Sequence, residues 1–313
     1  MEKITVLMPI RNGLRFLSNS IADIQSNIRD QDEVLVINDG STDDTPRVLN
    51  TWSQENSQVR IISTKQLGLV SALNLGLKES TNDWVARFDV DDRYPSSRLD
   101  VQRHKIENAT SAIFCDYEFF HENGKSLGVI PTAINENEMA LSLVSSQRTP
   151  HPGVLYNRRA VWAAEGYKAS DFPAEDISLW LRMAKVGKLA SVPQNLLFYR
   201  LGKNSVSSTQ RAKALALKEE LIRSIGIHNS SIDYFAENWE YIFQDYSQQP
   251  FGIERKVLLV KEMKKINKII GVNKKVEIEI SRAALALVRE PSLAKTISQL
   301  AYGKCKRHLA RIT

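Results

Sequence analysis

The 313-residue chain is 42% hydrophobic and 25% charged, which suits a soluble globular protein with one large domain and an appendage. No apolar run reaches the roughly 18 residues of a membrane-spanning helix, and two distant cysteines, Cys115 and Cys305, exclude a disulfide framework or a cysteine metal site. The net charge of +6 is uneven: residues 251–313 hold 15 Lys+Arg against 5 Asp+Glu, and the rest 27 against 31.

The first residues, Met1–Thr5, run into a strand pattern without the layout of a signal peptide, so a cytoplasmic setting is expected. Ile4–Ile10 is apolar and β-branched, as a buried parallel strand requires. Arg11-Asn12-Gly13 is a turn, and Phe16, Leu17, Ile21 and Ile24 then recur at helical spacing. Glu33–Ile37 is a second strand that breaks into Asn38-Asp39-Gly40-Ser41. Thr45 and Pro46 read as N-cap and first residue of a helix through Val48, Leu49 and Trp52. Val59–Ile62 is the third strand. Gly68 opens a helix with Leu69, Ala72, Leu73 and Leu77 on its apolar face. Trp84–Phe88 is the fourth strand and ends in the acidic run Asp89 to Asp92.

Strands alternating with helices predict βαβ units, hence an α/β fold with a mainly parallel sheet covered on both faces. Ligands bind such sheets beyond the carboxyl ends of the strands. The polar loops at Arg11-Asn12, Asn38-Asp39 and Asp89 to Asp92 all leave strand ends, so they should converge on one edge.

The second part is less regular. Ala112–Cys115, Tyr117–Phe120, Leu127–Ile130 and Val154–Tyr156 read as strands, with a hairpin turn at His121–Lys125. A helix is expected over 136–144 and another over Arg158–Glu165, ended by Gly166. Pro173-Ala174-Glu175-Asp176 begins a helix whose Leu179, Met183 and Val186 face the core and which Gly187 ends. Leu189–Val192 and Leu196–Arg200 complete the body. From Ala212 onward the pattern is helical, with a boundary near residues 206–211.

Taken in series, six motifs resemble the family 2 glycosyltransferases. They are Met8 to Gly13, Ile37 to Thr45, the Gly68 to Gly76 helix start with Ala72 and Asn74, Asp89 to Asp92, Glu175-Asp176 before Leu179 to Arg182, and Tyr199-Arg200 with Ser205 and Ser207. The resemblance covers about residues 3–207. It implies the inverting GT-A (nucleotide-diphospho-sugar transferase) fold, a Rossmann-like domain over residues 1–207, with a nucleotide-binding half to 110 and an acceptor half beyond. A basic α-helical C-terminal region, 208–313, follows.

The resemblance also implies roles. Breaking an anomeric C–O bond leaves a diphosphate, whose charge a Mg²⁺ or Mn²⁺ ion would stabilise. Asp91 is the expected ligand, with Asp92 and Asp89 holding the ion, its waters or the donor ribose; spacing leaves open which carboxylate touches the metal. Pro9, Arg11, Asn12 and Asp39 match the nucleoside pocket, Asp39 alternatively bonding its own turn. Lys65 either meets the pyrophosphate or is simply solvated. Asp176 matches the general base, with Glu175 beside it as second candidate; acids there also suit a helix N-terminus without any chemistry. His151 and Trp180 are candidates for the acceptor side, or a loop histidine and a core tryptophan.

Two departures stand out. Ser178 occupies a position that is Asp in many relatives, and Gly202 one that is His, with Lys203 or Asn204 as substitutes. The implied activity is transfer from a UDP-sugar or related donor to a hydroxyl of a glycan or lipid-linked acceptor in bacterial surface polysaccharide assembly. The alternative is a non-catalytic nucleotide- or glycan-binding protein. A sugar nucleotidyltransferase would need a Gly-rich basic loop after the first strand, which Arg11-Asn12-Gly13 is not. The basic tail, with Lys264, Lys265, Lys268, Lys304 and Arg307, suits either the inner face of the plasma membrane or a homodimer contact, against a solvated helical face; no nucleic acid is expected.

Overall fold

The computed structural model describes residues 2–133, 139, 142–143, 148–202 and 210–224. Two compact units divide the chain, residues 1–143 with 147–221, and residues 144–146 with 222–313. All elements below belong to the first, apart from the last residues of its final helix.

In chain order these are β1 (Ile4–Ile10), α1 (Leu14–Gln25), β2 (Glu33–Asp39), α2 (Thr45–Glu55), β3 (Val59–Thr64), α3 (Leu69–Glu79), β4 (Trp84–Arg87), α4 (Arg98–Arg103), β5 (Thr110–His121), β6 (Ser126–Ile130), β7 (Leu155–Asn157), α5 (Arg158–Ala163), α6 (Glu175–Met183), β8 (Lys188–Leu201) and α7 (Arg211–Ser224). The strands form one eight-stranded sheet in the order β3-β2-β1-β4-β7-β5-β6, with β8 on β5. The pairs among β1 to β4 are parallel, as is β5–β8. β7 lies antiparallel between β4 and β5, and β6 antiparallel on β5.

Strand β1 shows why both faces are covered. Its even residues, Ile4, Val6, Met8 and Ile10, join Leu17 and Ile24 of α1 and Leu49 and Trp52 of α2 in one core. Its odd face meets α3 so closely that a Cβ on Gly76 would lie 2.2 Å from Leu7 Cδ1. Period-2 alternation sends neighbouring side chains to opposite faces, so a strand buried on both reads as an unbroken apolar run.

The expected first four strands and their helices are present. Asp44, not Thr45, is the residue before α2. The structure corrects four further readings. The pairs Ala112–Cys115 with Tyr117–Phe120, and Leu189–Val192 with Leu196–Arg200, are single strands, β5 and β8. Their register shifts at Cys115/Asp116, opposite the interposed Pro193 and Gln194; such a bulge interrupts alternation without ending a strand. Helix α4 is absent from the sequence reading. Val186 is 43% exposed rather than core-facing, because α6 ends at Met183 before turning to Gly187. Among the described residues none of the helices is long and apolar enough to cross a membrane. Most of the helix expected over 136–144, residues 203–209 and the basic helices beyond 224 lie outside the described residues.

Candidate active site

The first two polar loops are woven together. Asn12 adopts a left-handed φ of 52°, a conformation Asn tolerates better than most residues. Its amide donates to Ser41 Oγ at 2.9 Å, and its side-chain Oδ1 accepts the Thr42 N–H at 2.7 Å. Gly13 donates to Thr45 Oγ1 at 3.1 Å. A Cβ on Gly13 would lie 2.7 Å from Ile10 Cδ1 and 3.1 Å from Val90 Cγ1, so the acidic loop after β4 packs on the same spot. The three loops converge, as their strand-end positions predict, and Pro9 stands beneath them, paired in register with Ile37.

Asp39 does not bond its own turn. Its carboxylate accepts from Thr64 Oγ1 at 2.6 Å, Leu67 N at 2.5 Å and Gly68 N at 2.8 Å. These bonds fasten the loop after β3 and cover amides at the start of α3. Burial alone would raise the Asp39 pKa; the three donors, with the Arg11 charge, outweigh it and hold the carboxyl below its ordinary range. Arg11 reaches the same loop through Gln66, Nη2 to Oε1 at 2.9 Å. Lys65 is exposed there.

Each carboxylate of the acidic run has a different environment. Asp89 is ion-paired with the buried Arg87, whose Nε donates at 2.9 Å, and its amide donates to Tyr94 Oη at 2.7 Å. Asp92 is 3% exposed and accepts the Arg200 amide at 2.7 Å. Asp91 is partly exposed, and its carboxylate makes no ion pair or side-chain hydrogen bond to another described residue. Burial, then the charge of Asp89, pushes Asp91 up to about 6. Burial, then Asp91 and Asp89, pushes Asp92 up as well. Beneath the run lies Arg98, fully buried, its guanidinium over the rings of Phe88 and Tyr94 at 4.2 and 4.7 Å.

This donor set fits a divalent cation of the Mg²⁺ or Mn²⁺ kind. Three carboxylates within four residues, of which Asp89 alone has a cationic side-chain partner at hydrogen-bond distance among the described residues, concentrate negative charge, and hard cations favour carboxylate oxygen. Among the described residues no three acidic, His or Cys side chains form a cage. Asp91, partly exposed, is the candidate arm for an ion that keeps water and substrate phosphate as its other ligands. Asp92, expected to hold the ion, its waters or the donor ribose, is buried and accepts the Arg200 amide on one of its two oxygens.

Arg87 carries the site across to α6. Its Nη1 lies 3.4 Å from His151 Nε2, and the Tyr167 hydroxyl lies 2.7 Å from the same nitrogen. Arg87 can only donate, so Nε2 is the acceptor and the imidazole is neutral. Burial, then the Arg87 charge, lowers the His151 pKa far below its usual value. Tyr167 is clamped from the other side by Asn74 of α3, whose side chain bonds its carbonyl at 2.8 Å and its amide at 3.0 Å.

Glu175 and Asp176 form the first turn of α6, where the helix dipole favours acids. Glu175 is 5% exposed, and its Oε2 has no hydrogen-bond partner. Burial, then the Asp176 charge, pushes it up to about 7; Arg87 and Asp89 also act on it. Asp176 is the more exposed of the two, with Oδ1 accepting the Ile177 amide at 2.8 Å. The carboxylate pair and the acidic run therefore lie within electrostatic reach of each other.

Trp180 presents nothing to an acceptor: it is 0% exposed and meets Phe114 and His151 edge-on. Ser178, one of the two departures, lies in a side-chain network. Its hydroxyl bonds Asp171, and Asp171 pairs with Arg182 at 3.2 Å, so the acid that balances Arg182 comes from the turn before the helix. Arg87, Arg98 and Asp171 escape sequence reasoning as functional residues. An arginine inside the apolar run Trp84–Phe88 was the available signal for Arg87, since a buried charge needs a partner.

The pattern of the family described as "Glycosyl transferase family 2" matches residues 5–161. A β-1,3-galactosyltransferase of Escherichia coli, named as transferring from UDP-Gal to GlcNAc-diphosphoundecaprenol, is 29% identical over 58% of this chain and 67% of its own length. An uncharacterized glycosyltransferase of Rickettsia bellii is 24% identical over 64% of this chain, which spans only 29% of that protein's length. Among solved structures, S. aureus TarS 1-349 with UDP-GlcNAc aligns with TM-score 0.57 at 13% identity, over 95% of this chain and 92% of that one. A mannosyltransferase of Pyrobaculum calidifontis, in complex with GDP-Man and Mn²⁺, aligns with TM-score 0.55 at 16% identity, over 96% and 84%. Likeness at these identities shows a shared GT-A fold.

Proposed function

The chain belongs to glycosyl transferase family 2 and is a glycosyltransferase, and from that premise we propose an inverting, metal-assisted transfer of one sugar from a UDP-sugar to a hydroxyl of a glycan or lipid-linked acceptor. The observation that carries this reading is the continuity from Asp89 through Arg87 to His151, with Glu175 and Asp176 in the same field. Leaving-group carboxylates and a candidate base thus share one site, as a single displacement requires.

The nucleoside lies on the edge made by Pro9, Arg11, Asn12 and Asp39, with Lys65 toward the diphosphate. Asp39 serves there mainly by fixing the loop after β3. Asp91 would hold a divalent ion, which when bound would supply Lewis-acid stabilisation of the departing diphosphate. Asp89, neutralised by Arg87, is free of the metal and suits the ribose. Asp176 accepts the proton of the attacking hydroxyl, and its greater exposure favours it over Glu175 for that role. Glu175 then binds the acceptor, its unpartnered oxygen offering a buried hydrogen-bond acceptor to a hydroxyl. His151, neutral and held by Tyr167, shapes the wall behind them. The activity of the E. coli relative on a diphosphoundecaprenol-linked sugar supports a lipid-linked acceptor and a place in surface polysaccharide assembly.

A panel of nucleotide-sugars with Mn²⁺, read by thermal shift, tests the donor, since a ligand that binds only the folded state raises apparent stability. UDP-sugars should raise the unfolding temperature and the product should carry the inverted anomeric configuration by NMR. A shift with GDP- or CDP-sugars alone, or a retained configuration, would overturn the reading.

A further inference from the structure

We propose that Arg200 is a positioning residue for the metal, holding the Asp91–Asp92 turn in the shape that presents the Asp91 carboxylate. The inference rests on Asp91 as the ligand. Three bonds of different kinds leave this one residue. Its amide donates to Asp92 Oδ1 at 2.7 Å, and its Nε donates to the Asp91 carbonyl at 2.7 Å. Its guanidinium lies between two aromatic faces, 4.9 Å from the Phe16 ring and 4.5 Å from the Phe120 ring. Phe16 belongs to α1 and Phe120 to β5, so the turn is referenced to two rigid elements as well as to β8.

The need for such a clasp follows from charge. Three carboxylates within four residues repel one another, and among the described residues only Asp89 has a cationic side-chain partner at hydrogen-bond distance. A turn held by its own backbone alone would open to separate them. Arg200 opposes this by pinning Asp91 at its carbonyl and Asp92 at its carboxylate, and its positive charge lies close enough to act on Asp91. The pinning leaves the Asp91 carboxylate without a side-chain partner at hydrogen-bond distance among the described residues. That is the arrangement of an outer partner that orients a metal ligand without touching the metal, and loss of such partners typically costs about 10–100-fold in metal affinity. Arginine is specific to the task. A lysine has no donor at the Nε position and no plane to stack between two rings.

Titration of the full chain with Mn²⁺ alone, counting free ion by electron paramagnetic resonance, tests this. Arg200→Met should weaken Mn²⁺ binding about 10–100-fold, and Arg200→Lys should stay closer to Arg200→Met than to wild type. Phe120→Leu removes one stacking ring without touching the turn, and should weaken binding several-fold; it carries the test if Arg200→Met fails to fold. Wild-type Mn²⁺ affinity in Phe120→Leu and in a folded Arg200→Met, or full recovery in Arg200→Lys, would overturn the proposal. Asp91→Asn separates the two layers: if it binds Mn²⁺ as wild type does, the ligand assignment falls instead.

Discussion

The edge built by β1, β2 and β4 and the edge built around α6 treat charge in opposite ways. On the first, Asp39 has three hydrogen-bond donors and Asp89 has Arg87. On the second, Glu175 is buried with one oxygen unpartnered and His151 is held neutral. The first edge is fixed in geometry and leaves one partly exposed carboxylate, Asp91, without a side-chain partner among the described residues. The second keeps proton affinity in reserve at Glu175. Under the proposed function, one edge would grip an anion through a metal and the other would handle a proton. Arg87 joins them.

Mutations that touch only the scaffold of one edge, or only the reserve of the other, probe this contrast. The largest change in stability is expected from Arg103→Met. Arg103 and Asp32 form a pair with both side chains 2% exposed, and Asp32 also accepts the Ile4 amide at the start of β1. Removing one partner of a buried pair costs about 3–5 kcal/mol, read by denaturant unfolding. A smaller loss would mean the parallel edge is less rigidly founded than its bonding suggests.

Glu175→Gln should act in the opposite direction and depend on pH. With its folded pKa raised to about 7 from 4.5, Glu175 binds its proton more tightly in the folded state than in the unfolded one. Its stabilising contribution is whole below about pH 4.5 and is lost as pH rises through about 7. Glu175→Gln should therefore gain up to about 3 kcal/mol over wild type at pH 8 and nothing at pH 4. Equal gains at both pH values would remove the reserve from the second edge.

Asp171→Asn should cost about 1–2 kcal/mol, because Arg182 bonds the Ala164 and Gly166 carbonyls and needs the acid to balance it. Transfer should fall more than nucleotide binding, since α6 carries the proposed base. Arg47→Ala marks the floor: its pair with Asp44 is exposed at 71% and 61%, so a change under about 0.5 kcal/mol is expected.

The two edges also differ in how far they could be read from the chain. Loops at Asn12, Asp39 and Asp89 follow buried parallel strands, and that topology sends them to one edge whatever their neighbours. Glu175 and Asp176 were found as residues, but not their environment. Asn74 meets Tyr167 across 93 positions, and Arg87 meets His151 across 64; periodicity carries no information on such pairings. β7 enters the sheet between β4 and β5 against chain order, and only three residues long it leaves a weak pattern. Helix α4, six residues after Pro95, is too short to show a period. The burial of Asp92 and its bond to the Arg200 amide are likewise long-range facts that sequence spacing cannot reveal.

Turnover and nucleotide binding measured side by side in Asp176→Asn and Asp91→Asn test the division between the edges most directly. Asp176→Asn should lose about 10²–10⁴-fold in kcat while binding UDP with Mn²⁺ as wild type does. Asp91→Asn should lose the Mn²⁺-dependent part of UDP binding. Near-wild-type turnover in Asp176→Asn, or loss of UDP binding in it to the same extent as in Asp91→Asn, would contradict the account.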